Sequence, residues 1–225
     1  MELKIIAKIR TDFPEKFGIP RQSGLIGGLM GKIVFLPEYR TAEAIRGLDG
    51  FSHLWLIWGF SKVTRKGWTA TVAPPRLGGR KKMGVFATRS PYRPNPIGLS
   101  SVKLEKIEYD KNLGPVIYVS GIDMLDGTPI YDVKPYLPYS DVHTDAVGGF
   151  GDEVKTHRLT VVFSDELLEL LPEEERETVT EILAQDPRTA YIHDETREWG
   201  VTYKGYNVLF YVKDDVLTVH DVEVL

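Results

Sequence analysis

The stretch ATRSPYRPNPIGLS, residues 87–100, sets two arginines and three prolines within the eight positions from Arg89 to Pro96. Proline holds φ at about −65° and pushes the residue before it toward extended backbone. A segment so constrained loses little entropy on binding, and it fixes where Arg89 and Arg93 stand. Directly before it, PPRLGGRKKMG adds Arg76, Arg80, Lys81 and Lys82, and no acidic residue falls between Arg76 and Arg93. Trp68 and Tyr92 flank the cluster as stacking surfaces. The chain as a whole carries a net charge of −4, so bulk attraction would not hold a polyanion. A local basic stripe with aromatics can, and its chemistry is contact with phosphates and exposed bases. The plainer uses of the same residues are a rigid connector and a solvated charge run. The second of these suits Lys81 and Lys82 better than Arg89 and Arg93.

A second group lies in DMLDGTPIYDVKPYLPYSD, residues 123–141, where Asp123, Asp126 and Asp132 precede Lys134, Tyr136 and Tyr139. DGTP is a turn, and Asp and Gly make turns everywhere. KPYLPY, however, is again a proline-stiffened segment that presents tyrosines, and two rigid polar segments suggest a preorganised pocket. A weaker third signal is PRQSGL, residues 20–25, with hydrogen-bonding groups on Arg21, Gln22 and Ser23 and a glycine that allows close backbone approach.

The elements that must position these groups are mostly strands. LKIIAKIR (3–10), GKIVFLP (31–37), SHLWLIWGF (52–60), MGVFAT (83–88), LSSVKLEKIEYD (99–110) and PVIYVSGIDML (115–125) are β-branched or aromatic and bounded by Gly or Pro. Such a series predicts an antiparallel sandwich or barrel. One helix is expected over residues 41–47, with Thr41 as its N-cap and Gly47 after its last turn. The polar, glycine-rich stretch 140–155 reads as a linker. Beyond it, SDELLELLPEEERETVTEILAQD predicts helix, break at Pro172, helix, with Ser164 as an N-cap and Glu173, Glu174 and Glu175 in a first turn. YNVLFYVKDDVLTVHDVEVL predicts a hairpin turning at KDD. The expected division is a barrel over 1–142, a linker over 143–155 and a small α+β lobe over 156–225.

Several chemistries are excluded or unsupported. The chain has no cysteine, which removes disulfides, thiolate metal sites and a thiol nucleophile. The five histidines show no metal-ligand spacing, so no metal is expected. GLIGGLMGK (24–32) is not a phosphate-binding loop, because Ile33 stands where Ser or Thr should follow the lysine. There is no G-x-G-x-x-G fingerprint and no strand–helix alternation. No long apolar run suggests a membrane span or a secretory leader, which gives a soluble, cytoplasmic expectation.

FATRSPYRPNPIGLS and DMLDGTPIYDVKPYLPY together resemble the two signature stretches of the TrmO (TsaA-like, formerly YaeB) family. PRQSGL, GLDGFSHLWLI, PPRLGG and AQDPRTAY fit the same family in the expected order, so the resemblance covers nearly the whole chain. It implies a mainly β fold: a single-sheet antiparallel β-barrel N-terminal domain with a small α+β C-terminal lobe. It implies an S-adenosylmethionine-dependent methyltransferase acting on N6 of threonylcarbamoyladenosine at position 37 of threonine tRNAs. It also implies a homodimer with the cofactor near the subunit contact. Carried over by motif, the cofactor contacts are Ser23, Gly24, Leu25, Ser61, Lys62, Arg89, Leu99, Asp123, Met124, Leu125 and Asp126. At Ser61 and Lys62, and again in IHDETREWGVTY, the chain departs from the family pattern.

Methyl transfer from a sulfonium is an in-line displacement, so positioning should dominate. The adenine N6 also needs a proton acceptor. Asp126 is the first candidate and Asp123 the second, though Asp126 could equally hold the cofactor. Arg76, Arg80, Lys81, Lys82, Arg93, Lys134, Tyr139 and Arg188 are the expected RNA contacts, directed at an anticodon loop whose base can splay out. Two other readings use the same residues: a non-catalytic RNA-binding barrel, and a methyltransferase with a small-molecule or protein substrate.

Overall fold

The computed structural model describes residues 2–62, 67–77, 81–154, 157–188 and 194–225. The alternating apolar segments of the first half become strands with one face turned inward. β1 (Ala7–Thr11) and β2 (Met30–Phe35) come first, and short 3-10 turns lead to β3 (His53–Gly59). β4 (Thr71–Val72) and β5 (Met83–Gly84) pair as a two-stranded ribbon. β6 (Ile97–Asp110), β7 (Gly114–Ser120) and β8 (Pro129–Pro135) then complete a closed antiparallel barrel of order β1-β2-β7-β6-β3-β8. Closure leaves no unpaired strand edge. β6 serves two neighbours, pairing with β3 over Ile97–Lys103 and with β7 over Lys103–Asp110. A register shift between Leu104 and Lys106 bends it from one to the other, as bulges do. Ile9, Ile33, Leu54, Leu56, Ile117, Val119 and Ile130 are fully buried and fill the barrel.

The second half adds α1 (Pro138–Asp141), α2 (Phe150–Val154), β9 (Thr160–Val162), α3 (Asp165–Leu168), α4 (Glu173–Ala184), β10 (Trp199–Tyr203), β11 (Tyr206–Lys213) and β12 (Val216–Val224). Its sheet runs β10-β11-β12-β9, with β9 parallel to β12. Ser164 caps α3 by accepting the Leu167 N–H at 3.4 Å. Pro172 stands at the N-cap of α4, ahead of the three glutamates. Asp214 takes a left-handed φ of 51° in the β11–β12 turn.

Several local expectations fail. Residues 41–47 hold a 3-10 turn, Ala42–Ile45, not an α-helix, and the Thr41 hydroxyl bonds the Glu43 carboxylate instead of a main-chain N–H. The left-handed Gly47 (φ 83°) ends the segment before a second turn can form. Residues 83–88 give two strand residues and then a 3-10 turn, Val85–Ala87. β8 was not foreseen, because prolines bracket it. Pro129 and Pro135 occupy its two ends, where a missing N–H is tolerated.

One continuous apolar core joins barrel and C-terminal lobe. Phe13 packs on Tyr203 with ring centroids 5.2 Å apart, and Phe17 stacks on Trp199 at 5.6 Å. The Lys204 ammonium pairs with Glu175 and lies 3.9 Å from the Asp12 carboxylate. Burial raises the Asp12 carboxyl above its usual range, against the pull of Lys204. Burial, with the neighbouring Glu175 and Asp12 charges, also drives the Tyr203 phenol well above its usual range.

Two changes test this packing. Lys204→Met leaves the nearly buried Glu175 without its cation. Breaking a fully buried pair costs roughly 3–5 kcal/mol, and the partial exposure of Lys204 reduces that to about 1–2 kcal/mol. A Cβ added to Gly98 would lie 2.2 Å from the Trp58 ring. Gly98→Ala is therefore an overpacking change expected to destabilise by about 1–3 kcal/mol. Guanidinium unfolding midpoints read both.

Candidate active site

Where β3 ends and β6 begins, the chain opens a cleft of about 430 Å³. The pairing of Gly59 with Ile97 brings these two strand ends together. Trp58, Phe60, Ile97 and Leu99 supply apolar walls, and Gln22, Arg89, Arg93 and Asp123 supply polar groups.

Three segments distant in sequence meet here, each for a local reason. The 20–25 loop crosses the chain after β7 at two glycines: Gly24 N–H donates to Gly121 O at 2.8 Å, and both have positive φ. A Cβ on Gly121 would stand 3.3 Å from Gly24 Cα, so the approach is tight at Gly121, while at Gly24 it is the positive φ that favours glycine. The crossing delivers the Ser23 main-chain N–H to the Asp123 carboxylate. The 88–96 loop is stiffened by more than its prolines. Thr88 Oγ1 donates to Val85 O at 2.9 Å and accepts from Ser90 N–H. Arg93 donates to the carbonyls of Thr88 and Ser90 at 3.0 and 3.4 Å. Arg93 thus staples its own loop while lining the cleft, where the sequence reading sent it only toward RNA. Arg89 donates to the Gln22 side-chain carbonyl, which ties this loop to the 20–25 loop.

Asp123 sits on the cleft floor. Ser100 Oγ donates to its Oδ1 at 2.7 Å, and Trp58 Nε1 donates to Ser100 Oγ at 2.9 Å. Burial pushes the Asp123 carboxyl above the usual range. The Ser100 hydroxyl, two main-chain N–H groups and the Arg89 charge pull the other way without cancelling it. A carboxylate with raised proton affinity in a cleft is suited to accept a proton near neutral pH.

Asp126 is placed elsewhere. Its carboxylate accepts from Thr11 N–H at 3.1 Å and from Arg10 at 3.2 Å, holding the end of β1. Of the two candidate proton acceptors in DMLD, Asp126 is thus engaged with β1, and Asp123 is the one that lines the cleft. Met124 and Leu125 turn their side chains into the core, leaving only their backbone for a ligand. Leu25 and Leu99 are exposed. Ser61 and Lys62 follow cleft residue Phe60, and Lys62 O accepts from Lys16.

Of the expected RNA contacts, Lys81, Lys82 and Tyr139 are exposed. Lys134 pairs with Asp132 at 3.0 Å. Arg188 grips Asp186 through two bonds of 2.8 and 3.1 Å. Arg80 and the side chain of Arg76 lie outside the described residues. Trp58 and Ser100 were missed. The available signal was a small polar residue at an inward position of β6, between the inward Gly98 and Val102, where a buried hydroxyl needs a partner.

The model of the tRNA-methyltransferase O N-terminal domain matches residues 8–142, and that of the TrmO C-terminal domain matches residues 156–225. The chain belongs to the TrmO family. It is 40% identical to the tRNA (adenine(37)-N6)-methyltransferase of Escherichia coli K12, over 90% of this chain and 94% of that protein. It is 39% identical to a Pseudomonas aeruginosa protein described as a putative S-adenosylmethionine-dependent methyltransferase, over 96% of this chain and 95% of the other. A crystal structure of P. aeruginosa TrmO superposes with a TM-score of 0.79 at 34% identity, over 100% of this chain and 97% of that one. The mainly β architecture with a closed barrel is thus the TrmO fold.

The electrostatics of this TrmO cleft can be measured directly. Arg89 lowers the proton affinity of Asp123, so Arg89→Met should move the Asp123 titration to still higher pH. Carboxyl carbon NMR across a pH series reads the shift, and a downward movement would contradict the assigned geometry.

Proposed function

We propose that this protein transfers a methyl group from S-adenosylmethionine to N6 of threonylcarbamoyladenosine at position 37 of threonine tRNAs. The observation that carries this reading is a single cleft, made by both signature motifs, in which a carboxylate of raised proton affinity faces Arg89. The name of the E. coli relative supports the adenine, its position and the atom methylated. The name of the P. aeruginosa relative supports the donor.

The cleft chemistry fits that donor. Its volume falls in the roughly 300–1,000 Å³ range of small-molecule sites. Arg89 and Arg93 suit a carboxylate, Asp123 suits a cationic group, and Trp58, Phe60 and Leu99 suit a flat base. Backbone groups of Ser23, Gly24, Leu25, Met124 and Leu125, with Ser61 and Lys62 beside Phe60, complete the holding set. Asp126 contributes by fixing the 123–126 turn to β1. S-adenosylmethionine supplies an electrophilic methyl carbon on a positively charged sulfur. As N6 forms its bond to that carbon and the carbon–sulfur bond breaks, one proton must leave N6, and Asp123 accepts it. The stiff 88–96 loop keeps Arg89 in place, so little reorganisation accompanies the step.

Lys81, Lys82 and Tyr139, with Arg76, Arg80, Lys134 and Arg188, serve the anticodon loop. Lys134 and Arg188 keep donors beyond those engaged with Asp132 and Asp186. We assign the transfer site to residues 1–142, the connection to 143–155 and help in tRNA selection to 156–225. The exposed Leu25, Phe86, Ile97 and Leu99 near the cleft support a homodimer that covers this side. A cytoplasmic setting follows from a tRNA substrate. Among the described residues, no helix is long and apolar enough to cross a membrane, and no cluster of ligands for a metal ion occurs.

The test uses labelled S-adenosylmethionine and threonine tRNA, with and without threonylcarbamoyl at adenosine 37. Label should appear in the modified tRNA alone. Asp123→Asn should slow transfer by about 10²–10⁴-fold, the scale of a lost general base. Binding of tRNA without any transfer would point instead to a non-catalytic RNA-binding barrel.

A further inference from the structure

We propose that Ser100 and Trp58 are positioning residues of the transfer: the chain Trp58 Nε1–H to Ser100 Oγ to Asp123 Oδ1 holds the carboxylate in the orientation in which it takes the departing proton. This rests on the role given to Asp123 above.

The polarity of the chain follows from chemistry. Indole nitrogen can only donate, so Ser100 must accept from Trp58, and its single proton is then directed at Asp123. Ser100 is 1% exposed and Trp58 7%, so water does not compete for these bonds. The Ser23 and Asp123 main-chain N–H groups also bond this carboxylate, so the Ser100 hydroxyl fixes its orientation together with them. The strand pairing builds the chain in. Trp58 sits opposite Gly98, and the absence of a side chain there lets the indole lie flat across β6 with its N–H reaching Ser100 two residues on. The charged groups facing Asp123 are Arg89 and, along the cleft, Arg21 and Arg93; no second acid lines the cleft among the described residues. Changes at Ser100 should therefore register on Asp123 alone.

Ser100→Ala removes the hydroxyl at nearly constant volume, and Trp58→Phe removes the N–H but keeps a ring. In Ser100→Ala, single-turnover methyl transfer should slow by roughly tenfold to a hundredfold, part of the contribution of a general base. Apparent affinities for tRNA and S-adenosylmethionine should stay within about twofold, since the loss falls on the step and not on binding. The sign of the pH effect is fixed. Ser100 lowers the proton affinity of Asp123, so its loss raises that affinity and moves the acid limb of the rate profile to higher pH. Trp58→Phe should act in the same direction more weakly, and should add nothing once Ser100 is alanine. If Ser100→Ala folds poorly because Trp58 keeps an unpaired N–H, the double variant removes that orphan donor and carries the same measurement.

Carboxyl NMR of Asp123 in the wild type and in Ser100→Ala gives a second readout that needs no turnover, and an upward shift is expected. An unchanged titration and an unmoved pH profile would overturn the proposal. So would a loss confined to substrate affinity. Wild-type rates in Ser100→Ala with an inactive Asp123→Asn would remove the relay and leave Asp123 as acceptor. Full activity in Asp123→Asn would remove both.

Discussion

A carboxylate pulled partly out of water at the mouth of a barrel must be met by donors or must take up a proton, and Asp123 imposes that requirement on the rest of the site. The donors come from the 20–25 loop, from β6 and from its own main chain, while the cation comes from the 88–96 loop. No two of the first three share an element. The anion therefore acts as a meeting point for segments that local forces alone would leave apart. The balance falls on the side of burial, so the group stays more basic than a free aspartate. A proton acceptor has to be in that condition to work near neutral pH.

Holding such a group requires a rigid surround, and rigidity arises here from different sources on each side. The 20–25 loop is fixed by a close main-chain crossing at two glycines. The 88–96 loop is fixed by prolines, by Thr88 and Ser90 bonding nearby main-chain groups, and by Arg93 closing back on the Thr88 and Ser90 carbonyls. The floor is fixed by an indole laid across a glycine. Each device costs conformational freedom during folding, so less remains to be lost when ligands bind.

Much of this was legible in the residues. Prolines following Arg89 and bracketing Arg93 announced a stiff cationic loop, because proline acts on its own φ and on its neighbour wherever the chain goes. Gly24 was legible as a point of close backbone approach, but residues 115–125 read as one strand, which in fact ends at Ser120 before the left-handed Gly121. The Pro172 break and the Ser164 cap were also local and appear as expected. The expectations that failed were those needing a partner. Asp123 and Asp126 look alike in DMLD, and which of them meets the cleft depends on β1 passing beside Asp126.

The strand-rich architecture, the stiffness of the arginine loop and the family can all be read from the residues, since each rests on residue type and short-range spacing. Three-dimensional packing alone puts Asp123 and not Asp126 in the cleft, turns Arg93 back to brace its loop, and sets Trp58 and Ser100 behind the acid. Those facts depend on strand register, which sets Trp58 opposite Gly98 and brings residues 23, 58, 89, 100 and 123 to one barrel mouth. Register follows from closing the whole barrel at once, and no local stretch of sequence contains that condition.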